Sequence, residues 1–423
     1  MEKKIKIGII GLGTVGSGVY KTLKNFDNIE IVKIAVHNKK KKRNIENLDE
    51  SIITDDAYEV VNDPQIDIVA ELIGGTHPAF ELIETAIKNG KHIVTANKEL
   101  LAKHGEELFN FAQEHNKVIL YEAAIAGGIP LIMPIKTILA GNKIDKIKAI
   151  LNGTTNYILT KMDIQGASYN EVLAEAQDLG YAETNPTGDV EGFDAAYKIT
   201  TLATIAFGKR IKFEKVYREG ITKIRPEDMQ AANEMGYKIK LIASAELNKN
   251  GQADVRVHPM LVPKYKTLAH IDYVTNAVTL SGHPVGEITL SGPGAGEFPT
   301  ASSVVGDILA IVSEIGKTDY ILPMMRCNHN QEAQMVDITE TQNKYYLSIK
   351  AKNRMGVIGT IGTACGENNI SVESIVQKEL KEDYAHITVI TELCKEKSMQ
   401  KLIQTLENDE NIWGINSLIR VQI

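Results

Sequence analysis

The sequence predicts an α/β chain in three parts, and three observations support that prediction. An apolar strand, a glycine-rich turn and a helix open the chain, and strands then alternate with helices to about residue 121, as in a parallel, doubly wound sheet. Short strands separated by turns follow in residues 238–290 and favour an open antiparallel sheet. Residues 345–421 give the order strand, helix, strand, strand, helix, strand, which is the ferredoxin-like βαββαβ arrangement.

Length and charge narrow the possible classes of protein. The 423 residues are enough for two or three domains, and a composition of 43% hydrophobic and 24% charged residues is that of an ordinary globular protein. A net charge of -7 gives no electrostatic case for nucleic acid or an anionic membrane, so we expect neither as a partner. The apolar run near the N-terminus is short and broken by glycines, so we predict no signal peptide. The cysteines are odd in number and far apart, which predicts a reducing, cytoplasmic setting without disulfides or zinc; they are Cys327, Cys365 and Cys394.

The first motif is GLGTVG at 11–16, which lies between an apolar strand at 5–10 and a helix. In dinucleotide-binding folds Gly11 would permit the turn, Gly13 would let the backbone approach a pyrophosphate, and Gly16 would let the helix pack on the strand. Thr14 and Val15 open the helix, whose free N–H groups and dipole favour a phosphate. The motif therefore predicts a cofactor-binding turn.

The second strand, residues 29–36, is followed by His37 and the basic run NKKKKR at 38–43. A site that prefers NAD usually has an acid at the end of this strand, and none stands there. The basic run suits the 2′-phosphate of NADP, although a lysine run is more often a solvated loop. NADP is therefore the preferred prediction and NAD remains open, while His37 is interpreted as an ordinary loop histidine.

Polar residues follow later strands of the predicted sheet, at the edge where ligands bind. They are GGT at 74–76, after a strand at 67–72, and ANK at 96–98, after a strand at 93–95. Lys98 is either a surface lysine at the start of a helix or a contact to both nicotinamide and substrate. Helices at 78–88 and 103–115 and a strand at 118–121 complete this region.

Glu122 is the lone acid in the run YEAAIAGGIP at 121–130, which precedes a predicted helix at 131–139. A carboxylate beside tightly turned backbone carbonyls suits a hard cation. A hydrogen-bonded structural turn would give the same pattern, so both interpretations stay open here.

The middle region has two polar or glycine-rich runs next to helices. NGTTN at 152–156 separates a strand at 144–151 from a helix at 157–162, and its side chains either cap the helix or hold the polar ends of an amino acid. GPGAG at 292–296 precedes a helix at 300–314 and is either a ligand contact or a return linker to the first domain. The predicted strands between them are 238–246, 254–259, 277–281 and 285–290.

An acid and a lysine stand in an otherwise apolar helix. A polar loop that carries Glu183 runs into this helix, where Asp194 and Lys198 are four residues apart on one face. Eight apolar residues surround the helix nearly completely, so we expect it to be buried; they are Ala195, Ala196, Ile199, Leu202, Ala203, Ile205, Ala206 and Phe207. A salt bridge at the rim is the ordinary interpretation, but the cost of desolvating an ion pair favours a functional site.

With these residues in view, the chain resembles homoserine dehydrogenases over nearly its whole length. The resemblance rests on GLGTVG at 11–16, TANK at 95–98, YEAAIAGGIP at 121–130, LNGTTNYIL at 151–159, GYAETNPTGDVEGFDAAYK at 180–198 and GPGAGEFPTASSVVGDI at 292–308. The terminal module resembles an ACT domain, a regulatory fold that binds amino acids. Its turn NRMG at 353–356 departs from the acidic, proline-containing turn usual there, which leaves the effector open.

The resemblance implies reversible oxidation of L-homoserine to L-aspartate 4-semialdehyde with NAD or NADP, in threonine and methionine biosynthesis, with threonine as the preferred effector. It implies a Rossmann-type nucleotide-binding domain at 1–130 with a return helix near 299–318, an α+β substrate-binding and dimerisation domain at 131–318, a linker at 319–343 and an ACT domain at 344–423. A homodimer or homotetramer is expected. Two alternatives are a related oxidoreductase of another small amino or hydroxy acid, and a catalytically silent cofactor or amino-acid sensor.

The resemblance also implies roles for the residues that match the family motifs. Lys198 is implied as the acid/base lysine, with Asp194 and Lys98 in the catalytic set. Glu183 and Tyr181 are implied, with Asp194, to bind the substrate. A base suits the chemistry because hydride leaves the hydroxyl-bearing carbon only as the hydroxyl proton departs.

Cofactor and metal contacts are implied in the same way. Gly180 and Gly296 match backbone that contacts the cofactor, in addition to Lys98 and the glycine turn. Glu122 matches the family's sodium ligand, with the backbone carbonyls of Ile125, Gly127 and Ile129.

Overall fold

The computed structural model describes residues 4–317, 322–327, 329, 331–380 and 383–422, with the backbone alone at 378–380. Residues 318–321, 328 and 330, on which parts of the predicted return helix and linker fall, lie outside the described residues. Within the described ranges, no helix is both long and apolar enough to cross a membrane.

The strands of the described part of the chain are, in order, β1 (Ile5–Ile10), β2 (Ile29–Ala35), β3 (Ile53–Thr54), β4 (Ile68–Glu71), β5 (His92–Thr95), β6 (Ile119–Leu120), β7 (Lys143–Ile150), β8 (Tyr217–Arg218), β9 (Tyr237–Leu247), β10 (Ala253–Pro263), β11 (Thr275–His283), β12 (Gly286–Pro293), β13 (Gln342–Lys352), β14 (Val372–Leu380), β15 (Tyr384–Thr391), β16 (Cys394–Lys395) and β17 (Ile412–Val421).

The α-helices of the same residues are α1 (Thr14–Leu23), α2 (Ala57–Asn62), α3 (Ala79–Lys88), α4 (Lys98–Glu114), α5 (Ala123–Ala126), α6 (Ile132–Lys136), α7 (Gly153–Gln165), α8 (Tyr169–Asp178), α9 (Thr187–Val190), α10 (Phe193–Phe207), α11 (Pro226–Glu234), α12 (Glu297–Glu314), α13 (Val357–Glu367) and α14 (Glu396–Glu407).

The chain divides into two compact units. The first unit comprises Met1–Ile147, Ala196–Val216 and Thr275–Ala333. The second unit comprises Lys148–Ala195, Tyr217–Val274 and Gln334–Ile423. Strand β7 and helix α10 each run across a boundary of this division, so both units receive residues from them.

The first unit contains the predicted doubly wound sheet. Its six strands lie in the order β3-β2-β1-β4-β5-β6, and every neighbouring pair is parallel. Ile7 and Ile9 of the central strand β1 are fully buried, as expected for a strand covered on both faces. This strand order is that of the Rossmann fold, so the fold prediction for this part is confirmed.

Helix α12 returns to the first unit's sheet and packs against α1. The approach is close at Gly18, where a Cβ atom would lie 2.6 Å from the carbonyl oxygen of Glu297 and 2.9 Å from Cβ of Ala301. Lys21 and Glu297 also form an ion pair of 2.7 Å between the two helices. The same unit contains the antiparallel hairpin of β11 and β12.

The second unit contains a sheet that joins the middle region to the terminal module. Strands β9 and β10 are antiparallel over their whole length, as predicted. Strand β17 then pairs in parallel with β10, through Met260 with Arg420 and Leu261 with Val421, and the sheet continues through β13, β15 and β14. The sequence did not predict this junction.

The terminal module has the predicted βαββαβ order, built from β13, α13, β14, β15, α14 and β17, with the short strand β16 added. Both helices pack on one face of the sheet around a core that includes Ile349, Ile361 and Leu402, each fully buried. The prediction of a ferredoxin-like module is therefore confirmed.

Several element boundaries differ from the prediction because side-chain caps fix them. Helix α4 begins at Lys98, not at residue 103, because the Asn97 side chain accepts a hydrogen bond from the Leu100 N–H at 3.1 Å. Helix α8, which the sequence did not predict, begins with a capping box formed by Ser168 and Glu171. Helices α2 and α11 were also missed.

Candidate active site

The glycine turn of the first unit has the geometry that a dinucleotide site needs. Gly11 has a φ of +103°, and a Cβ there would lie 2.8 Å from the Leu72 carbonyl oxygen. A Cβ on Gly16 would lie 2.0 Å from the Gly11 carbonyl oxygen, so only glycine lets α1 pack this closely on β1. At Gly13 a Cβ would meet none of the described atoms within 4 Å. The backbone at Gly13 is therefore open to a ligand at the start of α1.

The loop after β2 is basic and exposed. Arg43 donates hydrogen bonds to the carbonyl oxygens of Lys41 at 2.9 Å and Asn38 at 2.8 Å, which fixes the course of the loop. The side chains of residues 39–42 are exposed, and so is His37. No acid occurs between residues 36 and 43, so this strand end lacks the carboxylate that binds ribose hydroxyls in NAD-preferring sites.

A buried carboxylate organises the ends of β4 and β5. Glu71 is fully buried and accepts hydrogen bonds from the Thr95 hydroxyl at 2.6 Å and the backbone N–H of Ile73 at 2.9 Å. Burial raises the pKa of Glu71. The Asn97 side chain donates to the Gly75 carbonyl at 2.6 Å and caps α4, so Lys98 is the first residue of that helix. The sequence analysis did not identify Glu71 as a candidate, although an acid at the end of an apolar strand could have indicated it.

Glu122 is buried in the turn before α6 and satisfies the start of that helix. Its carboxylate accepts the backbone N–H groups of Leu131, Ile132 and Met133 at 2.5, 2.8 and 2.7 Å. The Glu122 N–H in turn donates to Asp307 at 2.8 Å. Burial raises the pKa of Asp307 well above its usual value. The geometry thus contains the hydrogen-bonded structural turn that was one interpretation of the sequence.

The glycines beside this turn allow two backbone segments to touch. A Cβ on Gly127, which has a φ of +57°, would lie 2.4 Å from the Gly294 carbonyl oxygen. The Gly127 carbonyl accepts a hydrogen bond of 2.6 Å from the Ser303 hydroxyl. Ile125 and Ile129 are buried in the same turn. Gly296 has a φ of +123° and is the N-cap residue of α12.

Two carboxylates of the second unit share one amide. The Asn152 Nδ2 donates to Asp189 Oδ1 at 2.7 Å and to Asp194 Oδ2 at 2.9 Å. The Asn152 Oδ1 accepts the backbone N–H of Thr155 at 2.8 Å and so caps α7. The run NGTTN was predicted either to cap a helix or to hold a ligand's polar groups. The cap is confirmed. The hydrogen bonds from Asn152 to the two acids were not predicted, because they join residues about 40 positions apart in the sequence.

The helix α10 carries Asp194 and Lys198 one turn apart. Asp194 is 6% exposed and Lys198 is 8% exposed. Their burial was predicted from the apolar sequence of the helix and is confirmed. The apolar neighbours on this helix that are at most 2% exposed are Ala195, Ala196, Ile199, Leu202 and Ala203. A carboxylate and an amine held in such surroundings are strong electrostatic partners for a small charged ligand.

The loop before α9 is exposed and carries the other predicted substrate residues. The Tyr181 carbonyl accepts the Thr154 hydroxyl at 2.7 Å, and the Tyr181 ring lies 5.0 Å from the ring of Tyr157. Glu183 is exposed, and its backbone carbonyl accepts a hydrogen bond from the Gln177 side-chain amide at 3.0 Å. The loop is thus held by its backbone, which leaves the Glu183 side chain at the surface of the second unit.

The predicted site residues fall into both units. The first unit contains the residues predicted for the cation, the residues predicted for the cofactor except Gly180, and the catalytic lysine: Gly11, Gly13, Thr14, Val15, Lys98, Glu122, Ile125, Gly127, Ile129, Lys198 and Gly296. The second unit contains the predicted substrate residues and one glycine: Gly180, Tyr181, Glu183 and Asp194. Within the described part of the chain, no group of three or more His, Cys, Asp or Glu side chains is placed to hold a metal ion.

Comparison with known proteins decides the family. A homoserine dehydrogenase of Synechocystis is 41% identical over 99% of this chain and 99% of its own length. The chain belongs to the homoserine dehydrogenase family. The family model for the homoserine dehydrogenase NAD-binding domain matches residues 11–122, and that for homoserine dehydrogenase matches residues 130–309. The chain is therefore an NAD(P)-dependent oxidoreductase, as predicted, and the two alternative functions are not supported.

Solved structures of homoserine dehydrogenases have the same fold. The enzyme from Thiobacillus denitrificans has a TM-score of 0.93 and 39% identity, and the match covers 99% of this chain and 98% of that one. A hyperthermophilic archaeal homoserine dehydrogenase in complex with NADPH has a TM-score of 0.63 and 26% identity, over 74% of this chain and 98% of the other. The ACT domain model matches residues 345–411, which confirms the assignment of the terminal module.

Proposed function

We propose that the chain catalyses the reversible NAD(P)-dependent oxidation of L-homoserine to L-aspartate 4-semialdehyde. The observation that supports this most strongly is the burial of Asp194 and Lys198 one turn apart on the apolar helix α10, with Asp194 hydrogen-bonded to Asn152. A buried amine and a buried carboxylate are the groups that a small amino alcohol needs, one for its hydroxyl proton and one for its ammonium.

A nicotinamide cofactor held at the glycine turn would supply the hydride acceptor, or the hydride donor in the reverse direction. Lys198, as a neutral amine, takes the proton from the substrate hydroxyl in the oxidative direction and returns it in the reverse direction. Burial favours the neutral form of the Lys198 amine, whereas the negative charge of Asp194 favours the protonated form. We therefore expect the Asp194 carboxylate to pair with the substrate ammonium group in the complex. Glu183 and Tyr181 are proposed as further substrate contacts, and Lys98 as a contact to cofactor and substrate.

The proposed cofactor is NADP in preference to NAD. The glycine turn at Gly11 and Gly13, with Thr14 and Val15 at the start of α1, suits the pyrophosphate of either cofactor. The exposed basic loop at 38–43 suits the additional 2′-phosphate of NADP. Gly180 and Gly296 are proposed as backbone contacts, and both have a positive φ.

We propose a sodium ion at Glu122 with the carbonyls of Ile125, Gly127 and Ile129. An ionised carboxylate has about four acceptor positions, and three backbone N–H groups occupy part of that set, so one position remains for a cation. Thermal unfolding in NaCl and in choline chloride tests this. We expect a higher Tm in NaCl for the parent chain and equal values for Glu122→Gln; equal values for both would exclude the ion.

Threonine is the proposed effector of the ACT domain, and a homodimer or homotetramer the proposed assembly. Unchanged rates of homoserine oxidation at millimolar threonine would exclude threonine as the effector. A monomer in analytical sedimentation would exclude the proposed assembly.

The test of the reaction is nicotinamide absorbance with L-homoserine and each cofactor. We expect turnover by the parent chain and none by Lys198→Ala, with cofactor binding nearly unchanged in that variant, because the lysine is proposed to act on the substrate proton only. Equal loss of turnover and cofactor binding would mean that Lys198 is structural. Absence of turnover by the parent chain would reject the proposed function.

A further inference from the structure

Arg420 is a buried cation near the end of the last strand, β17, in the second unit. Its side chain is 1% exposed and donates to Glu219 Oε1 at 2.7 Å and to Glu396 Oε1 at 2.9 Å. Burial opposes its charge, but these two carboxylates raise the pKa of Arg420 above its usual range. The group is therefore a permanent cation inside the fold, held by two acids.

The two acids come from different parts of the chain. Glu396 is the first residue of α14 in the terminal module and also accepts the Tyr345 hydroxyl at 2.6 Å. Glu219 follows β8 in the middle region and accepts a hydrogen bond from the Tyr217 hydroxyl. Arg420 thus joins the terminal module to residues 217–219 through a network in which the charged groups have partners.

Backbone contacts extend this network to Asp189 and, through Asn152, to Asp194, the proposed substrate-binding acid. The Ile221 N–H donates to the Val190 carbonyl at 2.9 Å. At Gly220 a Cβ would lie 2.3 Å from the same carbonyl, so the two segments touch. Val190 is the last residue of α9, which carries Asp189, and Asp189 shares the Asn152 amide with Asp194. All of these residues belong to the second unit.

We propose that Arg420 is a positioning residue for the Asp189–Asp194 acid pair, acting through Glu219 and the backbone of residues 219–221, so that the terminal module sets the geometry of Asp194, the proposed substrate-binding acid. The proposal rests on the proposed function in one respect only, namely that Asp194 of this pair binds the substrate. A buried salt bridge often contributes little net stability, and its best-attested use is to fix one geometry among several.

A second polar anchor joins the same module to the middle region at α11, and its Asp228 keeps hydrogen bonds from the Ser417 hydroxyl and the Arg225 N–H when the Tyr346 hydroxyl is removed. Asp228 of α11 is buried and accepts hydrogen bonds from the hydroxyls of Ser417 at 2.6 Å and Tyr346 at 3.1 Å. Removing the Tyr346 hydroxyl loosens the module without touching Arg420 or Glu219. The variant Tyr346→Phe is therefore the matched control.

The test compares three full-length variants with the parent chain in steady-state assays. Glu219→Gln removes the charge on the acid-pair side of Arg420, and Tyr217→Phe removes one hydroxyl while keeping the ring. We expect the KM for homoserine to rise about three- to tenfold in both, which is comparable with the net loss of one ordinary hydrogen bond. The KM for the cofactor and the values for Tyr346→Phe should stay within about twofold.

Hydrogen exchange gives a readout that does not depend on activity. Amides of residues 187–194 should exchange faster in Glu219→Gln and Tyr217→Phe, and at the parental rate in Tyr346→Phe. Parental exchange at 187–194 in both variants overturns the proposal. A parent chain that does not oxidise homoserine rejects the proposed function alone, since the exchange experiment still tests the connection. If Glu219→Gln does not fold, the exchange rates of Tyr217→Phe test the proposal.

Discussion

Asn152 and Asp194 are joined by a hydrogen bond of 2.9 Å, in which the side-chain amide donates to the carboxylate. The same nitrogen also donates to Asp189 at 2.7 Å, and the amide oxygen caps helix α7 through Thr155. Because one end of the side chain holds two acids and the other end holds a helix, the two roles can be separated by choosing the replacement.

Asn152→Ala should lower both activity and stability. Loss of the shared amide leaves Asp189 and Asp194 to repel each other, and we expect kcat/KM for homoserine to fall about ten- to a hundredfold. Loss of the helix cap should cost about 1 kcal/mol in the free energy of unfolding. Steady-state kinetics and urea unfolding measure the two effects.

Asn152→Ser separates them, because serine is a good N-cap and lacks the donor that reaches the two acids. Its unfolding free energy should remain close to that of the parent, while its kcat/KM falls as far as that of the alanine variant. Parental kcat/KM in Asn152→Ser would show that the amide does not position the acids.

The glycine turn gives a second prediction, from two glycines with different surroundings. A Cβ at Gly16 would lie 2.0 Å from a backbone oxygen, whereas a Cβ at Gly13 meets no described atom within 4 Å. Gly16→Ala should therefore destabilise the fold by about 1–3 kcal/mol through overpacking. Gly13→Ala should leave the Tm near that of the parent and raise the KM for the cofactor about tenfold, because the methyl group enters the space that the pyrophosphate needs. A normal cofactor KM in a folded Gly13→Ala variant would place the pyrophosphate elsewhere.

The sequence predicted those parts of the fold that depend on local patterns. The turn at Gly11 to Gly16 and the alternation of strands and helices specify a parallel sheet without reference to distant residues. The burial of Asp194 and Lys198 was predictable for the same reason, because the apolar residues around them lie on their own helix.

The rest depends on contacts between distant residues. The parallel pairing of Leu261 with Val421 joins positions 160 apart, and nothing in either strand specifies its partner. Asn152 was recognised as a possible cap, but its second role requires Asp189 to be brought to it by the fold. Glu71 is recognisable in the sequence as an acid at the end of an apolar strand. Its role could not be predicted, because its partner Thr95 lies on the neighbouring strand.

His92 predicts how stability depends on pH. Burial lowers the pKa of His92 from 6.5 to about 4, and Nδ1 accepts the backbone N–H of Val118 at 3.2 Å. As the pH falls below 6.5 the unfolded chain binds a proton that the folded chain does not, so stability is lost progressively between pH 6.5 and 4. Between pH 7 and pH 5, this effect at His92 should lower the free energy of unfolding by about 2 kcal/mol.

Urea unfolding at pH 7 and pH 5 checks this value in His92→Asn, which keeps an acceptor near Val118. The difference between the two pH values should be smaller in this variant than in the parent by about that amount. His37→Asn, a change at an exposed loop histidine, is the matched control and should keep the parental difference. An equal pH dependence in His92→Asn and the parent would mean that His92 is protonated in the fold.

The basic loop after β2 gives a prediction for cofactor preference. The side chains of Lys41 and Lys42 are exposed, while the guanidinium of Arg43 is bonded to carbonyl oxygens of the loop. Only NADP has a 2′-phosphate for these lysines to bind, so replacing both by glutamate should lower kcat/KM for NADP about tenfold or more and leave that for NAD within about twofold. Lys249→Glu, at an exposed lysine of another loop, controls for the reversal of a surface charge away from this loop and should change neither value. An equal fall with both cofactors would indicate damage to the fold of the first unit, and no change with either would remove the loop from the cofactor site.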